Sequence, residues 1–142
     1  MAVLQEGMTT FAMQKALDGI LKGGAVTFPT TVYVALHSDE PGMSASANEL
    51  SGNGYSRKAI TFGSAAADGN AQKSLNNAEV LFDEATASWG TVKNFSLWDA
   101  ATAGNSWFIG KLTTEKAVPA GDQARFKSGT LYAKISPTET TV

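Results

Sequence analysis

The chain has 142 residues, no cysteine and a formal net charge of −2 at pH 7. Its length fits one domain with a core of its own, and the lack of cysteine excludes disulfides and thiolate metal sites. Because phosphate backbones are bound by clustered basic side chains, which this chain lacks, no nucleic-acid partner is expected.

The amount of charge is the most unusual property of the composition. Charged residues make up 17% of the chain, against about 25% in an average soluble domain. Small neutral side chains take their place. Removing water from a surface of such side chains costs little free energy, because their desolvation penalty and their loss of rotamer entropy are small. The composition therefore fits a surface that is covered by other subunits, and it equally fits a neutral, loop-rich monomer.

Residues 1–24 carry the pattern of a short arm followed by one amphipathic helix. Thr9 or Thr10 can cap the first amides, and Gly23 and Gly24 end the helix because glycine adopts the left-handed cap conformation. The apolar residues of the segment are Phe11, Met13, Leu17, Ile20 and Leu21. The last four form one stripe at i, i+4, i+7 and i+8. All five are interface candidates, packing either on the rest of this chain or on a neighbouring chain.

From residue 25 to residue 136 the pattern is that of β-strands. The segments 31–36, 57–62 and 131–135 are rich in β-branched and aromatic residues or alternate between polar and apolar residues. Six to eight such strands, with no helix between them, predict an antiparallel β-sandwich or small barrel of jelly-roll or Ig-like type. Residues 137–142 are predicted to be a flexible C-terminal tail of this single globular domain.

The residue types of a catalytic site do not converge in this sequence. His37 is the only histidine, and neither a nucleophile elbow nor a paired histidine spacing accompanies it. The doublets 39–40 and 83–84 pair two acids, but adjacent strand residues point to opposite faces. We therefore predict no catalytic, metal-binding or cofactor-binding residue, and we expect His37 to end a strand before a turn. No apolar run reaches the ~18 residues of a membrane span, so no membrane partner is expected.

Three tryptophans, Trp89, Trp98 and Trp107, lie close together in the sequence. Exposed tryptophan rings with Asp and Asn nearby can stack on sugars, which would make these residues a glycan-binding surface. Aromatic residues in strands more often pack in a core. Core packing is the favoured interpretation, and sugar stacking is the alternative.

A series of turn-forming phrases runs through the β-rich part of the chain. They include Leu36-His-Ser-Asp-Glu-Pro-Gly42, Glu49-Leu-Ser-Gly-Asn-Gly-Tyr-Ser-Arg57, Leu97-Trp-Asp-Ala-Ala-Thr102 and Val118-Pro-Ala-Gly-Asp122. In their order and spacing these phrases resemble a family of small tailed-phage proteins described as tail-fibre-like virion proteins. The helix before Gly23 is similar to the opening of that family.

The resemblance implies a non-enzymatic structural protein of a tailed-phage virion that is assembled in the bacterial host cytoplasm. The expected partners are copies of itself, with a homotrimer as the expected state, and other virion proteins. The resemblance leaves open whether the module belongs to a tail fibre or decorates the capsid, and it supplies no binding residue. The alternative function is a host-glycan or receptor-binding module of the tail.

Overall fold

The computed structural model, which describes residues 6–137, is an antiparallel β-sandwich with one helix near the N-terminus. This is the fold class that the strand pattern predicts. The helix α1 spans Thr10–Lys22, and the strands are β1 (Gly7–Met8), β2 (Val32–His37), β3 (Lys58–Ile60), β4 (Ala66–Asp68), β5 (Ala71–Leu75), β6 (Val80–Leu81), β7 (Gly90–Trp98), β8 (Ser106–Val118), β9 (Arg125–Phe126) and β10 (Tyr132–Ile135). There are ten strands rather than six to eight. Strands β1 and β9 have two residues each and are too short to show an alternation. Strand β4 and the start of β5 lie in a stretch rich in Ala, Ser and Gly, a composition typical of a loop.

Helix α1 begins and ends where its capping residues predict. The Thr9 side chain accepts a hydrogen bond from the Ala12 amide at 3.2 Å, which satisfies one of the free donors of the first turn. Gly23 follows the helix with a φ of 66°, the left-handed cap conformation. Gly7 and Met8, from the predicted arm, form an edge strand against β8. Residues 1–5 of the arm and 138–142 of the predicted tail lie outside the described residues.

The strands form three antiparallel sheets. The main sheet has the order β1-β8-β7-β2-β3, a second sheet has the order β10-β5-β4, and β6 pairs with β9. The ladder between β7 and β8 is the longest and runs from Gly90 opposite Val118 to Trp98 opposite Ser106. On β8, the absence of a side chain at Gly110 makes room for the Phe95 ring, since an added Cβ would lie 2.4 Å from that ring.

The two faces of the main sheet are covered by different parts of the chain. Successive residues of a strand point to opposite faces, so β2 divides its apolar residues between two cores. Val34 and Leu36 belong to the larger core together with residues of the other two sheets, whereas Ala35 packs with Ala45 of the loop that follows β2. We call the first face the inner face and the second the loop face. Among residues 6–137, no helix is long and apolar enough to cross a membrane.

Candidate functional site

An apolar groove of about 830 Å³ opens beside α1 on the inner face of the main sheet. Its floor includes Val32, Leu97 and Phe108, which also pack against the larger core. Residues of β10 and of the linker after α1, Ile135 and Phe28 among them, form the other walls. The groove is therefore a place where the core of the sandwich reaches solvent.

Helix α1 turns its small residues towards this groove. Ala12, Ala16 and Gly19 line it, and a Cβ on Gly19 would lie only 2.9 Å from Cγ2 of Val26. Small side chains let the helix approach the linker closely, but they fill little of the groove volume. The close approach explains why glycine stands in a helix, where it otherwise costs about 1 kcal/mol relative to alanine.

The large apolar residues of α1 are mostly exposed to solvent, and of these only Ile20 also lines the groove, at the border between groove and solvent. Leu17, Ile20 and Leu21 are 58%, 79% and 75% exposed, and Met13 is 39% exposed. These four residues are the stripe that the helical spacing predicts, and we call them the α1 ridge. Phe11, the fifth interface candidate, lies off the ridge and packs edge-on against Trp107 of its own subunit, with ring centroids 5.3 Å apart. Among the candidates, Phe11 packs within its own subunit, Met13, Leu17 and Leu21 lie outside the groove, and Ile20 is exposed and also lines the groove.

Exposed apolar side chains concentrate at this side of the molecule. The described residues contain nine large apolar side chains that are exposed, and six of them lie on α1 or line the groove. The six are Met13, Leu17, Ile20, Leu21, Phe28 and Ile135. A contiguous exposed patch of this kind marks an interaction surface, whereas single exposed apolar residues are ordinary.

The three tryptophans do not form such a surface, because all of them are 7–8% exposed. Trp89 donates a hydrogen bond from Nε1 to the Asn53 carbonyl oxygen at 2.8 Å, and Trp98 donates one to Ser96 Oγ at 2.7 Å. Trp107 is flanked by Phe11 and Phe28. The burial supports core packing, since these rings offer little open face to a sugar.

The loop face carries a buried polar cluster centred on Arg57. Its guanidinium group donates from Nε and Nη2 to the two carboxylate oxygens of Glu49, each at 2.8 Å. Nη1 donates to the carbonyl oxygens of Ala100 and Ala103, and the guanidinium carbon lies 3.8 Å from the centroid of a Trp98 ring. One side chain thereby ties the loop before β3 to the turn between β7 and β8.

Tyr55 extends the cluster to the end of β2. Its hydroxyl donates to Glu49 Oε1 at 3.1 Å and accepts the Leu36 amide hydrogen at 3.0 Å. Burial raises the pKa of Tyr55, which stays a phenol. Burial alone would raise the pKa of Glu49, but the hydrogen bonds and the charge of Arg57 lower this pKa by more. The pKa of Glu49 is therefore below its ordinary value, and Glu49 is a carboxylate.

His37 ends β2, as predicted, and is fully buried within the same cluster. Its Nδ1 lies 2.8 Å from the Ala47 carbonyl oxygen, which can only accept, so Nδ1 carries the proton. Nε2 then accepts from the Ser96 hydroxyl at 2.7 Å, while Ser96 Oγ accepts from Trp98 Nε1. Burial lowers the pKa of His37 and favours this neutral form.

This arrangement braces loops and gives no access to a reacting molecule. His37 and Ser96 are both 0% exposed, so neither reaches a substrate in this conformation. Within residues 6–137 no group of three or more His, Cys, Asp or Glu side chains is placed to hold a metal ion.

The sequence did not reveal the roles of Glu49, Arg57 and Ser96 as cluster residues. Glu49 and Arg57 flank a loop with two glycines, and only the fold brings both to Trp98. A usable signal was present, since an Arg and a Glu eight residues apart bracket the predicted turn. The cluster joins three of the phrases on which the family resemblance rests.

Comparison with known protein families gives one match across most of the chain. The model of a family described as "Podophage GP4 fiber I protein gp80" matches residues 7–134. The matched region includes α1, the loop-face cluster and every groove-lining residue except Ile135. No protein with curated annotation matches the chain.

Proposed function

Because the chain belongs to the podophage GP4 fiber I protein gp80 family, it is a tail-fibre-like structural component of a phage virion, and we propose that it works there as a non-enzymatic assembly module. In this proposal the helical side, which consists of the α1 ridge and the apolar groove, binds copies of the same chain and docks on other virion proteins. A symmetric oligomer, with a trimer as the expected state, is the working form. The family favours a fibre location over capsid decoration.

The observation that carries the proposal is the concentration of exposed apolar side chains on the helical side. Moving one such side chain out of water contributes about 1.5–3 kcal/mol, whereas association costs roughly 4–15 kcal/mol in lost freedom of motion. The four ridge residues together are thus comparable with that cost. The groove has to be covered as well for the complex to be stable.

The buried state of the polar residues supports a role without catalysis. The imidazole and hydroxyl that could form a nucleophilic pair, His37 and Ser96, use their hydrogen bonds to fix loops. The charges of Glu49 and Arg57 compensate each other. These groups stabilise a rigid subunit, which is what a structural module requires.

Sedimentation velocity on the purified chain tests the association. We expect an oligomer at tens of micromolar and a monomer for the double variant Leu17→Glu, Leu21→Glu. The matched control is Leu81→Glu on β6, because Leu81 is also exposed but lies outside the groove. A stable wild-type monomer at that concentration contradicts the proposal.

Localisation on the intact particle tests the structural role. A labelled antibody against the chain is expected to bind at a fibre, and binding over the capsid shell contradicts the fibre location. A glycan array tests the alternative of a host-glycan module. Saturable binding that disappears in Trp107→Ala would favour that alternative.

A further inference from the structure

We propose that the α1 ridge of one copy packs into the apolar groove of the next copy. This inference rests on the self-association proposed above and specifies its two surfaces. The ridge and the groove adjoin at Ile20. In a trimer each copy offers its ridge to one neighbour and its groove to the other, and this makes the contact heterologous. Contacts of this kind close into rings when the rotation between copies permits it, as a trimer requires.

The first argument is that each subunit leaves both halves of this contact open. The groove has a volume of about 830 Å³, and its lining is apolar apart from three residues, Lys15, Gln72 and Ser74. A cavity of roughly 150 Å³ is what removal of one leucine side chain leaves, so the groove has room for several side chains of that size. The helix of the same copy contributes small residues and Ile20 to the apolar lining, whereas Leu17 and Leu21 stay outside the groove.

The second argument is the arrangement of charge. Lys15 is the one charged residue that lines the groove. Asp18 follows Leu17 on the helix and precedes Leu21 by three positions, so it lies beside the ridge. Within residues 6–137 neither Lys15 nor Asp18 forms an ion pair with another side chain of the subunit. A ridge that enters the neighbouring groove brings its Asp18 towards the Lys15 of that copy.

The third argument compares this contact with a symmetric one. Two ridges packed against each other would cover Leu17 and Leu21 but would leave both grooves open to water. Insertion of the ridge into the groove removes both apolar surfaces from water in a single contact. Since the hydrophobic contribution grows with the apolar area buried, the heterologous contact is the more favourable of the two.

Disulfide trapping distinguishes these contacts, because the natural chain has no cysteine. We expect Leu17→Cys mixed with Ile135→Cys to give a disulfide-linked dimer after mild oxidation. Neither variant alone is expected to cross-link efficiently. The matched control is Leu81→Cys mixed with Ile135→Cys, which keeps the groove cysteine and moves the partner cysteine to an exposed leucine outside the groove. Efficient linking of Leu17→Cys to itself would overturn the inference in favour of ridge-to-ridge packing.

Complementation between two defective variants gives a second readout. The double variant Leu17→Glu, Leu21→Glu lacks a ridge, and Ile135→Arg places a charge at the groove wall. Ile135 is 52% exposed, so this substitution leaves the core of the subunit intact. Each variant alone is expected to be monomeric, whereas an equimolar mixture is expected to form heterodimers through the one intact ridge and the one intact groove.

The outcomes separate this inference from the proposed function. An oligomeric wild type whose variants do not complement each other overturns the ridge-in-groove contact but leaves self-association standing. A monomeric wild type overturns both. Circular dichroism of each variant verifies that loss of association is not loss of folding.

Discussion

On the loop face, the polar groups of Arg57, Glu49 and His37 are paired within the subunit, whereas on the helical side large apolar groups point into water. Arg57 donates hydrogen bonds to both carboxylate oxygens of Glu49. It also donates one to the carbonyl oxygen of Ala103, in the turn between β7 and β8. More than half of each of the side chains of Leu17, Ile20 and Leu21 is exposed. The polar groups of the cluster are therefore paired within one chain, whereas the helical side leaves a large apolar surface in water.

This difference indicates how stability and assembly are divided in the subunit. Buried polar networks fix one arrangement of the backbone, because each unpaired group would cost free energy. Exposed apolar residues add little to the stability of the single chain and contribute when a partner covers them. Substitutions on the loop face should therefore affect folding, and those on the helical side should affect association.

On the loop face, the largest expected effect is that of Arg57→Ala on the free energy of unfolding. The change leaves the Glu49 carboxylate without its partner and removes the group that stacks on Trp98. Breaking a fully buried pair from one side costs about 3–5 kcal/mol. Because Glu49 is partly exposed to solvent, we expect a smaller loss of about 2 kcal/mol, which urea denaturation can measure. The control is the neighbouring Lys58→Ala, whose ion pair with Asp83 is more exposed and contributes less than about 1 kcal/mol. Equal losses for the two variants would show that the loop-face cluster is no more important than a surface pair.

A smaller effect is expected from pH acting on His37. Burial holds its pKa below the ordinary value of 6.5, so the folded chain keeps the imidazole neutral while the unfolded chain binds a proton. Stability is therefore fully present above pH 6.5 and falls as the pH drops from there towards the lowered pKa, by at most about 1.4 kcal/mol per pH unit. Denaturation at a series of pH values measures this slope.

The single histidine makes the assignment direct, because the imidazole signals in an NMR titration arise from one residue. We expect the proton of the neutral ring on Nδ1, and we expect the ring to stay neutral to a lower pH than a free imidazole does. An imidazole that titrates at its ordinary pKa would contradict the burial of His37 and its hydrogen bond with Ser96.

The smallest expected effect is that of Leu21→Ser on the dilute monomer. Because Leu21 is 75% exposed, its removal should change the free energy of unfolding by less than about 0.5 kcal/mol. The contrasting variant is Leu97→Ala, at a site that is 2% exposed, where a loss of about 2–5 kcal/mol is expected. A large loss in Leu21→Ser would mean that the ridge already packs within the subunit.

Local patterns predicted much of the fold. The caps at Thr9 and Gly23 bound α1 correctly, since they act through the hydrogen bonds of a single turn. Alternation located most of the longer strands but not β1 and β9, which have only two residues each, nor β4 and the start of β5, whose small residues are typical of a loop. The helical spacing also identified the ridge, although it could not indicate whether the ridge faces this chain or another.

The loop-face cluster was not predictable in the same way. Arg57 and Ala103 are 46 positions apart in the sequence, and His37 and Ser96 are 59 apart. Such contacts depend on strand order and register, which no single segment encodes. The groove is likewise formed by α1, β10 and the main sheet together.

By itself, then, the sequence determined the fold class, the bounds of the helix, the stripe of four apolar residues and the family resemblance. All of these are expressed in neighbouring residues or in the order of short phrases. Only the tertiary structure decided that the stripe faces outward beside an open groove and that the tryptophans are buried. The physical reason is that exposure is a property of packing, and packing depends on residues that are distant in the chain.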